Sequence, residues 1–158
     1  MYVGTFINTD KEELEGYEGI TYWVPRNEHE ENYLELRNNP SRPKYVVLVD
    51  PETTHVTGCA PEGNFVFYVP IKVYFMDDVP EDGIENPGFY QYDEEHGFRP
   101  RVDVRAWKYN QGLDAREDRM EAMMEGDREK LRVIKDWLET ADAYVGNGYE
   151  PPLPIRPY

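Results

Sequence analysis

The order of apolar and polar residues changes character about two thirds of the way along the chain. Residues 2–7 (YVGTFI) read as a first short strand and 20–24 (ITYWV) as a second, closed by Pro25. Between them, Asn8, Thr9 and Asp10 followed by 11–15 (KEELE) read as a capped helical turn cut short at Gly16. Residues 30–37 (EENYLELR) read as a helical turn with Tyr33, Leu34 and Leu36 partly buried. The run 44–49 (KYVVLV), unbroken and β-branched between Pro43 and Asp50, fits a strand buried on both faces. A short strand follows at 55–59. Residues 65–75 (FVFYVPIKVYF) then read as a long strand that Pro70 either confines to a sheet edge or splits at a bulge, because proline lacks the ladder donor.

Residues 77–88 (DDVPEDGIENPG) have the composition of an exposed acidic loop. Residues 89–92 and 101–107 alternate and predict the two arms of a hairpin with an acidic tip. From Leu113 the period becomes helical, and Leu131, Ile134, Leu138, Ala141 and Val145 fall on one stripe. Gly126 followed by Asp127 divides the stretch into helices at 113–125 and 128–145. Strands first and helices last predict an α+β fold: a mainly antiparallel sheet of five to seven strands with C-terminal helices packed on one face. The expected organisation is one domain over 1–148 and an extended Pro-rich tail over 149–158.

Charge sharpens this picture. The 158 residues include 32 Asp and Glu against 17 Lys and Arg, a net charge of −15. Residues 1–98 hold 20 of the acids and only 6 of the bases, and 99–158 hold 12 and 11. Phosphate binding needs Lys and Arg to displace counterions, so direct contact with nucleic acid or an anionic membrane is not expected, and the natural partners are basic. With 20 Glu against 12 Asp and many aromatics, adaptation to high salt is a poor explanation. A single Cys excludes an internal disulfide framework and fits a reducing compartment. No apolar run approaches the ~18 residues of a membrane span, and the N-terminus lacks the basic and apolar regions of a signal peptide. The expected location is the cytoplasm or a particle assembled there.

Tests for chemistry find little. His55-Val56-Thr57 has the form of one half of a two-histidine phosphoesterase site, but His29 and His96 supply no second motif. Asp77, Asp78, Glu81 and Asp82 offer oxygens to a hard cation, yet their spacing is not that of a calcium loop. Asp93, Glu94, Glu95 and His96 alternate in direction on a strand and do not converge. One Ser (Ser41), one Cys (Cys59) and the absence of a G-x-S-x-G or phosphate-binding glycine motif argue against nucleophilic and nucleotide chemistry. Met120, Met123 and Met124 at helical spacing read as core filler. No cofactor or metal is expected.

What remains is a binding protein. The leading expectation is a non-enzymatic acidic module that occupies a basic groove of a nucleic-acid-handling protein by mimicking nucleic-acid charge, as small inhibitors from phages and mobile elements do. Its partner-binding acids are Asp77, Asp78, Glu81, Asp82, Asp93, Glu94 and Glu95. The alternative is a virion or other assembly component that joins neighbouring subunits through strand edges and a tail in which Pro151, Pro152, Leu153 and Pro154 form a P-x-x-P segment anchored by Ile155 and Tyr158. A small enzyme without a recognisable motif is the third possibility.

Overall fold

The run Tyr45–Val49 (β3) organises the first part of the molecule because its side chains are apolar on both sides. Val46 and Leu48 enter one buried cluster, and Val47 and Val49 enter another. Residues 1–13, 16–66 and 68–158 are described by a computed structural model of the chain. They divide into two compact units, Met1–Arg101 and Val102–Tyr158. The fold is α+β, with a five-stranded antiparallel sheet, a separate two-stranded sheet and two C-terminal helices.

In the first unit, Tyr2–Glu13 (β1), Thr21–Asn27 (β2), β3, Val56–Ala60 (β4) and Ile71–Met76 (β5) form a sheet in the order β2-β1-β5-β3-β4. One face buries Phe6, Val46, Leu48, Val73 and Phe75 under Tyr33. Tyr33 opens the short helix Tyr33–Arg37 (α1), whose N-cap Asn32 accepts a hydrogen bond from the Leu34 N–H. The Tyr33 hydroxyl donates to the Gly63 carbonyl at 2.6 Å. Gly63 has φ +64°, and a Cβ there would lie 2.7 Å from the Tyr33 oxygen and from Val46, so both its conformation and its space require glycine. The opposite face buries Val47, Val49, Val56, Cys59 and Tyr74 beneath Tyr90, Tyr92 and Phe98, which belong to the hairpin Tyr90–Asp93 (β6) and Gly97–Pro100 (β7).

Several expectations are corrected here. Asn8–Glu13 is strand and not a helical turn, because Asp10, Lys11 and Glu12 pair across to Val24, Trp23 and Tyr22 of β2. The remainder of that expected turn, Leu14 and Glu15, lies outside the described residues. Pro25 does not close β2: the strand continues to Asn27, tolerated because β2 is an edge. The long strand expected over 65–75 is confined to Ile71–Met76, with Phe67 outside the described residues. Pro70 precedes the strand, so β5 can sit between β1 and β3 with its ladder intact. The hairpin's second arm is Gly97–Pro100, and the alternation over 101–107 is not strand.

In the second unit, Asp103 caps the helix Val104–Glu125 (α2) by accepting from the Ala106 N–H at 2.9 Å, so the helix begins well before Leu113. Gly126 ends it at φ +71°, and Asp127 caps Arg128–Ala143 (α3) through the Lys130 N–H. The division at Gly126 is the one expected. The two helices pair, with Trp107 edge-on to Trp137 at 6.1 Å and near Tyr144 at 5.8 Å. On α3, Ile134, Trp137 and Ala141 are buried, Leu131 and Leu138 are half-buried, and Val145 lies past the helix end at 85% exposure. Among the described residues no helix is long and apolar enough to cross a membrane.

Candidate functional site

The hairpin face of the first unit carries most of the acids singled out from the sequence, and the local structure gives them different tasks. Asp93 closes the hairpin turn, and because residues 94–96 are turn and not strand it converges with His96, contrary to the alternation expected from the sequence. One of its oxygens accepts from the N–H groups of Glu95 at 3.0 Å and His96 at 2.8 Å and lies 2.9 Å from His96 Nδ1. Its other oxygen accepts from Arg99 Nη2 at 2.7 Å. Partial burial would raise the Asp93 carboxyl, but the bonds from His96 and the Arg99 charge outweigh it and hold the group below its ordinary value. Glu94 and Glu95 stay exposed at the tip, with Glu95 3.9 Å from His96 Nε2.

Across the face runs a row of rings: Tyr90 and Phe98 at 6.1 Å, Phe98 and Tyr92 at 4.8 Å, Tyr92 and Tyr74 at 4.8 Å, Tyr74 and Tyr2 at 5.4 Å. Carboxylates stand at the hydroxyls. Tyr90 donates to Asp82, and Tyr2 donates to Glu28 at 3.2 Å. Burial pushes the Tyr74 hydroxyl far up, and Glu94 pushes it further by charge and hydrogen bonding. Tyr92 is raised by burial first and by Glu94 and Asp93 second. These hydroxyls therefore remain protonated and able to donate to the carboxylates beside them.

Asp77, Asp78 and Glu81 are exposed on the loop that leaves β5, and Asp77 accepts from the Lys44 N–H at 3.3 Å. Asp82, through Tyr90, anchors this loop at the first residue of β6, whereas Asp93 is the last. The backbone of β6 rises about 10 Å between these two anchoring residues, so the two acidic groups are tied to opposite ends of the strand. Glu28, Tyr2 and Tyr74 were not expected in such a site. They come from β1, β5 and the end of β2, and no local pattern links them.

The unit's cations do little to neutralise this surface. Residues 1–101 hold 20 acids and 8 Lys and Arg, so twelve carboxylates would remain even if each cation paired with one. Arg26 binds Asp10 and Glu12, and Arg99 binds Asp93. Arg42 instead donates to four backbone carbonyls, of Arg37, Pro43, Lys44 and Pro61. A cleft of about 430 Å³ on the same unit is lined by Thr9, Trp23, Leu34, Arg37, Phe65 and Val66, with Trp23 64% and Val66 76% exposed.

Cys59 is buried, and burial alone pushes its thiol up to about 11, which leaves it protonated and unreactive at neutral pH. In the second unit, the methionines read as core filler are on the surface: Met120 is 60%, Met123 65% and Met124 87% exposed. The residues that α2 buries are instead the small Ala115 and Ala122. The tail folds back within its own unit. The Tyr144 hydroxyl donates to the Pro151 carbonyl at 2.6 Å, and Arg156 Nη2 donates to Gln111 at 2.9 Å and Asp114 at 2.8 Å. Leu153 and Pro154 are half-buried, Pro151 and Pro152 are exposed, and Ile155 and Tyr158 are 91% and 39% exposed. No family model, curated protein or solved structure matches the chain.

Proposed function

We propose that the protein is a non-enzymatic acidic binding module whose first unit engages a basic protein surface. The observation that carries this reading is the excess of twelve acids over Lys and Arg on residues 1–101, against near balance in the rest of the chain. Exposed Asp78, Glu81, Glu94 and Glu95, with tyrosine rings between the two acidic groups, form a surface suited to Arg and Lys side chains, which pair with carboxylates and stack on aromatic faces. A groove built to hold a polyanion is the kind of basic surface such a charge density would occupy, so the partner class is a nucleic-acid-handling protein and the mode is charge mimicry. The setting is the cytoplasm, where a lone buried thiol is stable.

A tagged pull-down from the native host, followed by competition with a DNA duplex, tests it. Release of the captured protein by duplex is expected. Capture that duplex does not disturb would contradict mimicry while leaving acidic recognition in place.

A second reading, a subunit of a larger assembly, is favoured by the large apolar side chains left exposed: Trp23, Val66 and, at 80%, Tyr68. Repeated copies of the chain in an isolated particle would decide for it.

A further inference from the structure

Residues 151–156 read P-P-L-P-I-R: two prolines three apart, Pro151 and Pro154, with an arginine two places further on. Of residues 151–157 four are proline, and Leu153 and Arg156 each precede one, so Ile155 alone escapes the restraint that proline places on itself and on the residue before it. The segment is thereby biased toward the polyproline II helix before any partner is met, and residues 153–158 are neither helix nor strand. At three residues per turn, Leu153 and Arg156 share one edge of such a helix, Pro151 and Pro154 the next, and Pro152 and Ile155 the third. The folded chain treats the first and third edges differently. Leu153 and Arg156 are half-buried, whereas Pro152 and Ile155 are exposed, Ile155 to 91%.

Arg156 identifies the partner. A polyproline helix presents much the same outline from either end, so prolines alone leave its direction in a groove open, and a cation beyond one end fixes it. The group that receives an arginine fork is a carboxylate. The chain already makes that contact with itself: Arg156 Nη2 donates to Asp114 Oδ2 at 2.8 Å and to Gln111 Oε1 at 2.9 Å, one turn apart on α2, and its guanidinium lies 5.7 Å from the Tyr158 ring. The arginine is 29% exposed and the aspartate 57%, and a pair so wetted holds the segment back by no more than about fivefold. A partner carboxylate can therefore take the place of Asp114. Residues 102–158, with 12 acids and 9 Lys and Arg, lack the strong negative field that residues 1–101 would turn against an acidic pocket. We propose that residues 151–156 are the ligand of a separate protein domain whose aromatic-lined polyproline groove has an acidic pocket at one end, and that Asp114 keeps Arg156 engaged until that pocket competes for it. The acids of the first unit play no part in this contact, so it stands or falls independently of the function proposed above.

The test is calorimetric titration of the full chain against a panel of purified SH3 domains, whose polyproline grooves carry an acidic pocket, and WW domains, whose grooves do not. Saturable binding to SH3 domains is expected. Arg156→Ala and Pro154→Ala should each weaken it about tenfold or more. Asp114→Ala should strengthen it about two- to fivefold by freeing Arg156. Unchanged far-ultraviolet dichroism and melting show that each variant is folded, and Arg156→Gln or Asp114→Asn replaces a variant that melts early. The absence of binding by both the native chain and Asp114→Ala would overturn the proposal. So would binding that ignores Arg156, a preference for WW domains, or an Asp114→Ala chain that binds no more tightly than the native one.

Discussion

Tyr33 shows how much one buried hydroxyl holds in place. It packs edge-on to Phe6 at 5.6 Å, and its donation to Gly63 ties α1 to the loop after β4. Burial pushes its hydroxyl up to about 12, although Arg37 and Arg42 pull the other way, so it remains a donor throughout the physiological range. Tyr33→Phe leaves the Gly63 carbonyl without this donor and should lower stability by about 1–3 kcal/mol in a urea titration. Cys59 should resist thiol reagents in the native protein and react only once denaturant is added; modification at the rate of a free cysteine would contradict its burial. Asp93 gives a pH signature. Its folded value lies below its unfolded one, so its contribution to stability is present above the unfolded carboxyl value and is lost as pH falls through the folded one. Asp93→Asn should therefore flatten the acid limb of the stability curve, and a limb of unchanged slope would count against the turn described here. The burial of β3 on both faces is legible in its residues, since only such a strand wants Val or Leu at four successive positions, 46–49. The role of Asp93 is not, because its acceptor geometry exists only once the hairpin turn has formed.

At the scale of elements, the reading succeeds where a signal is local and fails where pairing decides. Asp127 after Gly126 is a local signal, and it marks the break between α2 and α3. Asp127→Ala should cost about 1 kcal/mol by removing the acceptor for Lys130 N–H. The segment Asp10–Glu13 has a helical composition, yet β2 draws it into a strand through long-range pairs that no window of sequence contains. Asp103 misleads in the other direction: an alternating run looks like strand, while the side chain caps a helix. The stripe of α3 is legible, but its centre of burial is not. Ile134 is fully buried and Leu138 is only half-buried, so Ile134→Ala should cost about 2–5 kcal/mol and Leu138→Ala clearly less, by comparison of their denaturation midpoints. Equal costs would place the packed face of α3 elsewhere.

At the scale of the whole molecule, the organising feature is the separation of charge between two units, with −12 on residues 1–101 and −3 on 102–158. That separation is legible from the sequence. What folding adds is the assignment of Asp93 to a turn and Asp82 to Tyr90, the pairing of tyrosine hydroxyls with Glu28 and Glu94, and the exposure of Asp78, Glu81, Glu94 and Glu95. The most direct measurement of the central claim is the association rate with the basic protein captured from the host, as a function of ionic strength, for three proteins. These are the native chain, a variant with Asp77→Asn, Asp78→Asn, Glu81→Gln and Asp82→Asn, and a control with Glu117→Gln, Glu121→Gln, Glu125→Gln and Glu129→Gln. If the first unit steers the encounter, the first variant associates about tenfold more slowly at low salt, the control keeps the native rate, and the three converge at high salt. Equal rates for both variants at low salt would contradict the account.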